Sequence, residues 1–286
     1  MSIKVVTDST SDIPKSLADA LGITVVPLNV HFGDDTYKDG IDITSEEFYR
    51  RLKGETQLPK TSQPSVNDFV QAYESLTSQG NDVISIHISE KLSGTLNSAW
   101  QARNTWEESA GNRQGQEWVD IVDSGLASMG LGLVVLEVAR LVNDGATRED
   151  VQRALGTMIA KTRCFVLLDT LEYLVKGGRI GKASAFVGTL LSIKPILTVT
   201  DGEVHPLERV RTREKGIAKL MELAQGVAPI RYASISHSST PEEVQRVKDG
   251  LSSLVSPEDI IVADFGPVVG TYAGPWGLGL CIMSDY

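Results

Sequence analysis

Between residues 3 and 161, short apolar runs alternate with longer stretches of helical periodicity, which restricts the chain to a layered α/β fold. Residues 3–7, 23–31, 82–88 and 118–123 predict strands. Residues 14–21, 45–53, 66–79, 95–109, 126–143 and 148–161 predict helices. Several of the strands are apolar throughout, as in a sheet covered on both faces. Pro14 suits a first helical turn. Thr44 with Glu47, and Thr147 with Asp150, stand at capping-box spacing. This half predicts a doubly wound, mostly parallel sheet.

The second half changes pattern. Residues 164–171 predict a strand, followed by helical material broken at Gly177-Gly178. Residues 194–212 predict two strands joined at Asp201-Gly202, a hairpin signal. Helices at 212–226 and 240–253 alternate with strands at 230–237 and 259–264. A hairpin inside such an alternation predicts an α+β layer. The expected boundary lies near residue 162, giving domains 1–162 and 163–286, within what 286 residues accommodate.

The net charge of −10 argues against a nucleic-acid partner, because affinity for phosphate backbones comes from Lys and Arg. It argues equally against steady attraction to anionic membranes and leaves transient membrane contact open. Cys164 and Cys281 sit in apolar runs and read as buried hydrophobes of a reducing compartment. The longest apolar stretch, 126–142, contains Glu137 and Arg140 and is short of the roughly 20 residues a bilayer requires. With a strand beginning almost at the N-terminus and no apolar leader before it, a cytoplasmic location is expected. His31, His87, His205 and His237 show no metal-ligand spacing, so neither metal nor cofactor is expected.

Five clusters carry polar chemistry. "TDSTSD" (7–12) ends the first strand with Asp8, Ser9, Ser11 and Asp12. Ser11 or Asp12 is expected to cap the helix beginning at Pro14, and the remaining polar groups lie where open α/β sheets bind ligands. "LPKTSQPS" (58–65) is either a rigid connector or a place where Thr61 and Ser62 point into a cleft. "SEKLSGTLNSA" (89–99) joins a strand to a helix N-terminus, with Ser93 before Gly94, a residue that lets a ligand approach the backbone. "YLVKGGRIGK" (173–182) offers Arg179, a fixed charge suited to a carboxylate or phosphate. "FGPVVGTYAGPWGLG" (265–279) reads as a loop that turns Thr271 and Tyr272 toward a pocket. A further Asp-Ser pair ends at Ser124, and the glycines after it are expected to allow close helix packing.

The order of "TDSTSD", "KTSQPS", "SGT", the 123–124 "DS", "YLVKGGRI", "LLSIKPIL" and "GPVVGT-AGP" resembles the DegV family, a bacterial group of lipid-binding proteins. The matching pieces run from residue 7 to residue 275. The resemblance implies two α/β domains with a long-chain fatty acid between them. Some members are the acyl-binding subunit of a bacterial fatty acid kinase, which serves phospholipid synthesis. They present the carboxylate to a separate ATP-dependent kinase subunit and have no catalytic group of their own. The family's carboxylate contacts map here to Thr61 and Ser93, with Gly94 and Thr271 beside them. Its third contact, a histidine, is replaced by Tyr272. Asp8, Ser9, Ser11, Ser62, Ser124 and Arg179 become supporting polar residues. The segment 186–197 and the 126–142 helix are the expected walls of an apolar tunnel.

Two other readings compete. One is a hydrolase or phosphotransferase for a small anion, using Asp8, Ser93 and Arg179, although no base adjoins Ser93 in sequence. The other is a lipid-responsive regulator that docks a partner through the basic run 208–215, with Arg209, Arg211 and Arg213.

Overall fold

A computed structural model describes residues 2–54, 57–109, 117–189 and 193–286. In the first half, strand β1 (Ile3–Asp8) leads through a 3-10 turn (Ser9–Ser11) into α1 (Lys15–Leu21). Then come β2 (Thr24–Val26), β3 (Asn29–Phe32), β4 (Asp35–Lys38), α2 (Ser45–Leu52) and β5 (Lys60–Ser62). Helix α3 (Val66–Thr77), β6 (Asp82–His87), α4 (Thr95–Ser109), β7 (Val119–Asp123), α5 (Met129–Asn143) and α6 (Arg148–Lys161) follow.

The second half contains β8 (Thr162–Leu167), α7 (Glu172–Lys176), a 3-10 segment (Gly181–Thr189), β9 (Lys194–Thr200) and β10 (Glu203–Val210). It continues with α8 (Arg213–Gln225), β11 (Ile230–His237), α9 (Pro241–Leu251), a 3-10 turn (Pro257–Asp259), β12 (Ile260–Asp264), α10 (Pro267–Ala273) and β13 (Leu278–Ser284).

The first sheet is parallel, in the order β2-β1-β6-β7. Successive side chains of one strand feed opposite helical layers. Val5, Ile84 and Ile86 pack with α5, whereas Val6 and Val83 pack with α3 and α4. That is the doubly wound arrangement expected from the apolar runs. The second sheet is mixed, in the order β10-β9-β8-β13-β11-β12, with only β11 and β12 parallel. A small antiparallel sheet, β4-β3-β5, lies apart from both. The fold is thus a two-domain mixed α/β one, with a parallel sheet and a separate mixed sheet.

Helix α5 joins the two main sheets. It touches β1 and β6 on one side and β8, β11 and β13 on the other. Its residues from Met129 to Ala139 are all buried, so the stretch that looks membrane-like in sequence is core. Among the described residues, no helix is long and apolar enough to cross a membrane.

Local chemistry explains several boundaries. Ser65 and Asp68 form a reciprocal capping box on α3, and Thr147 and Asp150 do so on α6. Thr44 caps Glu47 N–H, but the Glu47 carboxylate turns to Arg50 and Arg51. The Asp201-Gly202 hairpin has positive φ at both residues, as a type I′ turn requires.

Four expectations are corrected. The strand expected over 23–31 splits at Pro27, which lacks a donor, and its halves join different sheets. The 58–65 connector contains β5, paired with β3. The loop expected over 265–279 holds α10 and the start of β13, with Pro267 preorganising the helix at its first position. Neither Ser11 nor Asp12 caps α1, which has no side-chain cap; Asp8 instead caps the 3-10 turn by accepting from Thr10 N–H.

Candidate functional site

A cavity of about 140 Å³ lies among β5, α10, α7 and the second sheet, on a scale where one water needs about 10–15 Å³. Its walls are mostly apolar, including Leu28, Leu168, Leu174, Leu197, Phe265 and Val268. Thr61, Ser93, Arg179 and Tyr272 line the same space. Four of the residues singled out from sequence therefore meet at one cavity.

Each is held by its own element. Thr61 lies on β5, and its Oγ1 is 2.5 Å from the Tyr272 hydroxyl of α10. Arg179 Nε donates to Leu92 O at 3.2 Å, and Nη1 donates to Gly177 O at 2.9 Å. Its guanidinium carbon stands 5.1 Å from the centre of the Tyr272 ring. Gly177 lacks the side chain that would occupy the place of that ring. Ser93 Oγ lies 2.8 Å from Thr95 Oγ1 at the start of α4. No ion pair or carboxylate contact of Arg179 is recorded among the described residues, so its charge is balanced there by carbonyls and a π-face.

The other expected contacts lie elsewhere. Thr271 donates its hydroxyl to Pro267 O at 2.9 Å, inside α10. Gly94 makes room for the Gln63 amide. Ser62 bonds His31 and Asn29 on the small sheet, and Ser124 donates to His87 O. Ser9 Oγ accepts from Leu28 N–H at 3.0 Å. Ser11 is buried, with its carbonyl against Gly132 of α5; Gly130 and Gly132 allow the close packing expected, whereas Gly125 lies before the helix at positive φ. Leu190, Leu191 and Ser192, part of the expected tunnel wall, lie outside the described residues. Of the 126–142 stretch, Ala127 and Ser128 reach the cavity wall.

Asp8 organises the floor beneath this site. One oxygen accepts from Thr10 N–H and hydroxyl; the other accepts from Ile88 N–H at 3.1 Å and lies 3.0 Å from His87 Nδ1. His87 Nε2 is 2.7 Å from Ser85 Oγ, which is 3.0 Å from Tyr73 OH. An Asp-His-Ser line thus exists, but all three residues are fully buried and Ser85 is shared with Tyr73. That line meets the cavity only through the Thr10 and Ile88 groups bonded to Asp8. Ser93, the nucleophile of the hydrolase reading, bonds Thr95 and not Asp8 or a histidine.

Sequence reasoning missed Ser128 and Asp39, and singled out Asp12 only as a helix cap. Asp12 accepts from Ser128 Oγ and from Gly266 N–H at 3.0 Å, linking the first strand's end to the entry of α10. Burial, and then the nearby Asp39 and Asp264 charges, push its carboxyl well above the usual range against those hydrogen bonds. Burial raises Asp39 to about 7. These pairings join residues more than a hundred positions apart, and no local spacing announces them. In the basic run, Arg213 is committed to Glu243 and Arg209 stacks on Phe186. Among the described residues, no cluster of three or more His, Cys, Asp or Glu side chains could hold a metal ion.

A mostly apolar cavity beside the second sheet, with hydroxyls and a guanidinium on its wall, defines a mixed α/β cavity protein. The chain belongs to the DegV family, whose model, described as an uncharacterised protein of the DegV family, matches residues 2–285. It is 38% identical to a DegV domain-containing protein of Halalkalibacterium halodurans over 97% of each chain. The fatty-acid-binding DegV family protein of Thermus thermophilus superposes with a TM-score of 0.91 at 33% identity, covering 100% of both chains. A stearic-acid-binding protein of Eubacterium ventriosum gives 0.89 at 28% identity over 98% of each.

Proposed function

We propose that this chain binds a long-chain fatty acid, with the tail in the cavity and the carboxylate at Thr61, Ser93, Tyr272 and Arg179. The observation that carries the reading is a mostly apolar cavity whose wall holds neighbouring Thr61, Tyr272 and Arg179, the guanidinium having no carboxylate partner among the described residues. The fatty-acid-binding relatives support it.

Magnitudes divide the work. Burying an acyl chain of ~16 carbons, at about 0.8 kcal/mol per methylene, contributes on the order of 12 kcal/mol before the costs of association. A hydrogen bond to a charged group contributes about 1.5–3 kcal/mol. The tail therefore sets affinity, and the polar end sets orientation.

The finer reading is that the held carboxylate is presented to a separate ATP-dependent kinase subunit, in the cytoplasm, and the acyl-phosphate is retained. The chain's own residues bind and orient; the partner supplies the phosphoryl transfer. Native mass spectrometry of gently purified protein should find long-chain acyl species, and delipidated protein should take up oleate. Protein that is reproducibly free of lipid and ignores added oleate would sink the binding reading. Oleate bound but never converted to acyl-phosphate with any fatty acid kinase subunit would remove only the presentation step.

A further inference from the structure

The cavity wall away from the hydroxyl pair carries chemistry that head-group binding leaves unused. Cys164 on β8 and Cys281 on β13 stand directly opposite one another in the antiparallel register. Both thiols are free and buried, and both residues line the cavity. Directly opposed strand residues hold their Cβ atoms about 4.5–5.5 Å apart, and a disulfide needs about 3.5–4.5 Å. A small approach of the two strands therefore closes the bond. Gly130 of α5 leaves the space that the Cys164 sulfur fills. Ser234, opposite Cys281 on β11, places a buried hydroxyl next to that thiol.

The Cys164 thiol and then burial hold the Cys281 thiol well above its ordinary pKa. Both cysteines are enclosed, and the raised pKa slows every oxidant alike. An oxidant carried by a bound acyl chain is held against the same sulfur for the lifetime of the complex, which raises its effective concentration.

Resting on the acyl-chain reading above, we propose that Cys164 and Cys281 form a two-electron thiol site that reduces a fatty acid hydroperoxide held in the cavity to the hydroxy acid. One cysteine sulfur attacks the terminal oxygen of the hydroperoxide, and the O–O bond breaks. The sulfur keeps the hydroxyl as a sulfenic acid, and the departing alkoxide takes the thiol proton. The second sulfur attacks the sulfenic sulfur, the S–O bond breaks, and hydroxide leaves with the second thiol proton as water. One hydroperoxide and two thiols give one hydroxy acid, one water and one disulfide.

The test treats the reduced, delipidated full chain with linoleic acid hydroperoxide and, separately, with hydrogen peroxide at equal concentration. Hydroxy acid is measured by mass spectrometry, the 164–281 cross-link by non-reducing peptide mapping, and unoxidised linoleate binding by displacement of a fluorescent acyl probe. The expected result is one hydroxy acid and one disulfide per chain, with the lipid hydroperoxide reacting at least about ten-fold faster than hydrogen peroxide. The Cys164→Ala/Cys281→Ala double variant should yield no hydroxy acid above buffer, expressed per bound lipid. Cys164→Ala alone should leave a sulfenic acid on Cys281 that dimedone traps. Linoleate bound while the thiols stay free, or hydrogen peroxide reacting as fast as the lipid, overturns the thiol site and leaves the acyl-binding reading standing. Failure to bind linoleate removes both.

Discussion

The hydroxyls of Thr61 and Tyr272 lie 2.5 Å apart, a hydrogen bond that ties β5 to α10 across 211 positions of sequence. Either oxygen can donate. A carboxylate arriving at this pair meets one hydroxyl hydrogen already engaged and one free.

Because the two residues share one bond, their contributions should not add. Thr61→Val and Tyr272→Phe should each weaken oleate binding by about three- to ten-fold, and the double variant should lose little more than the worse single. A double-mutant cycle by probe displacement checks this. Strictly additive losses would mean that the hydroxyls act independently.

Tyr272→His places at this position the histidine that the resemblance implies. An imidazole titrates near about 6.5 and is cationic below it, while the fatty acid carboxylate stays ionised. Oleate affinity of the variant should therefore rise as pH falls through about 6.5, and that of the wild type should stay nearly flat. Equal pH profiles for the two proteins would refute a head-group contact at this position.

Arg179 should discriminate between head groups. Arg179→Met should lower oleate affinity by about ten- to a hundred-fold and leave oleyl alcohol nearly unaffected, since only the carboxylate gains from a fixed charge. Equal losses for acid and alcohol would reduce Arg179 to a packing role.

Asp39 predicts a pH-dependent stability. Its folded pKa of about 7 exceeds the ordinary 3.8, so the folded chain binds the proton more tightly. The associated stabilisation is complete below the ordinary value and is lost as pH rises through about 7, on the order of 4 kcal/mol in total. The buried Asp12 pulls in the same direction. Thermal midpoints of the wild type should fall between about pH 4 and 7, and Asp39→Asn should flatten part of that fall. An unchanged slope in the variant would assign the dependence to other groups.

Asp8→Ala should cost about 3–5 kcal/mol, because Ile88 N–H and the Thr10 and His87 groups lose a buried carboxylate. Chemical denaturation measures it. A loss below about 1 kcal/mol would show that water replaces the carboxylate.

Where order came from local chemistry, it could be read in advance. The run Asp82–His87 is buried at every residue, polar ones included, as a strand between two helical layers must be. The Asp201-Gly202 turn took the backbone that its two residues favour. Strand β13 escaped notice because Gly277 and Gly279 dilute its pattern, yet it sits between β8 and β11 at the middle of the second sheet. The same limit applied to the site. Thr61, Ser93, Tyr272 and Arg179 were legible as hydroxyls and a charge in a recognisable order. Thr271 was not separable from Tyr272 until both lay on a helix, where neighbouring residues point about 100° apart. Ser128 and Asp12 meet only because α5 returns to the end of β1.

Helix α5 has a consequence for how a lipid comes and goes. From Met129 to Ala139 every residue is buried, with one sheet on each side. Parting the sheets there would wet the apolar side chains of that whole stretch at once. The molecule is therefore bound like a book along α5, and separating its pages at that spine is costly. Away from α5 the halves are joined by Thr61 to Tyr272, Arg179 to Leu92 and Gly266 to Asp12, so residues proposed for the head group also hold the cover shut.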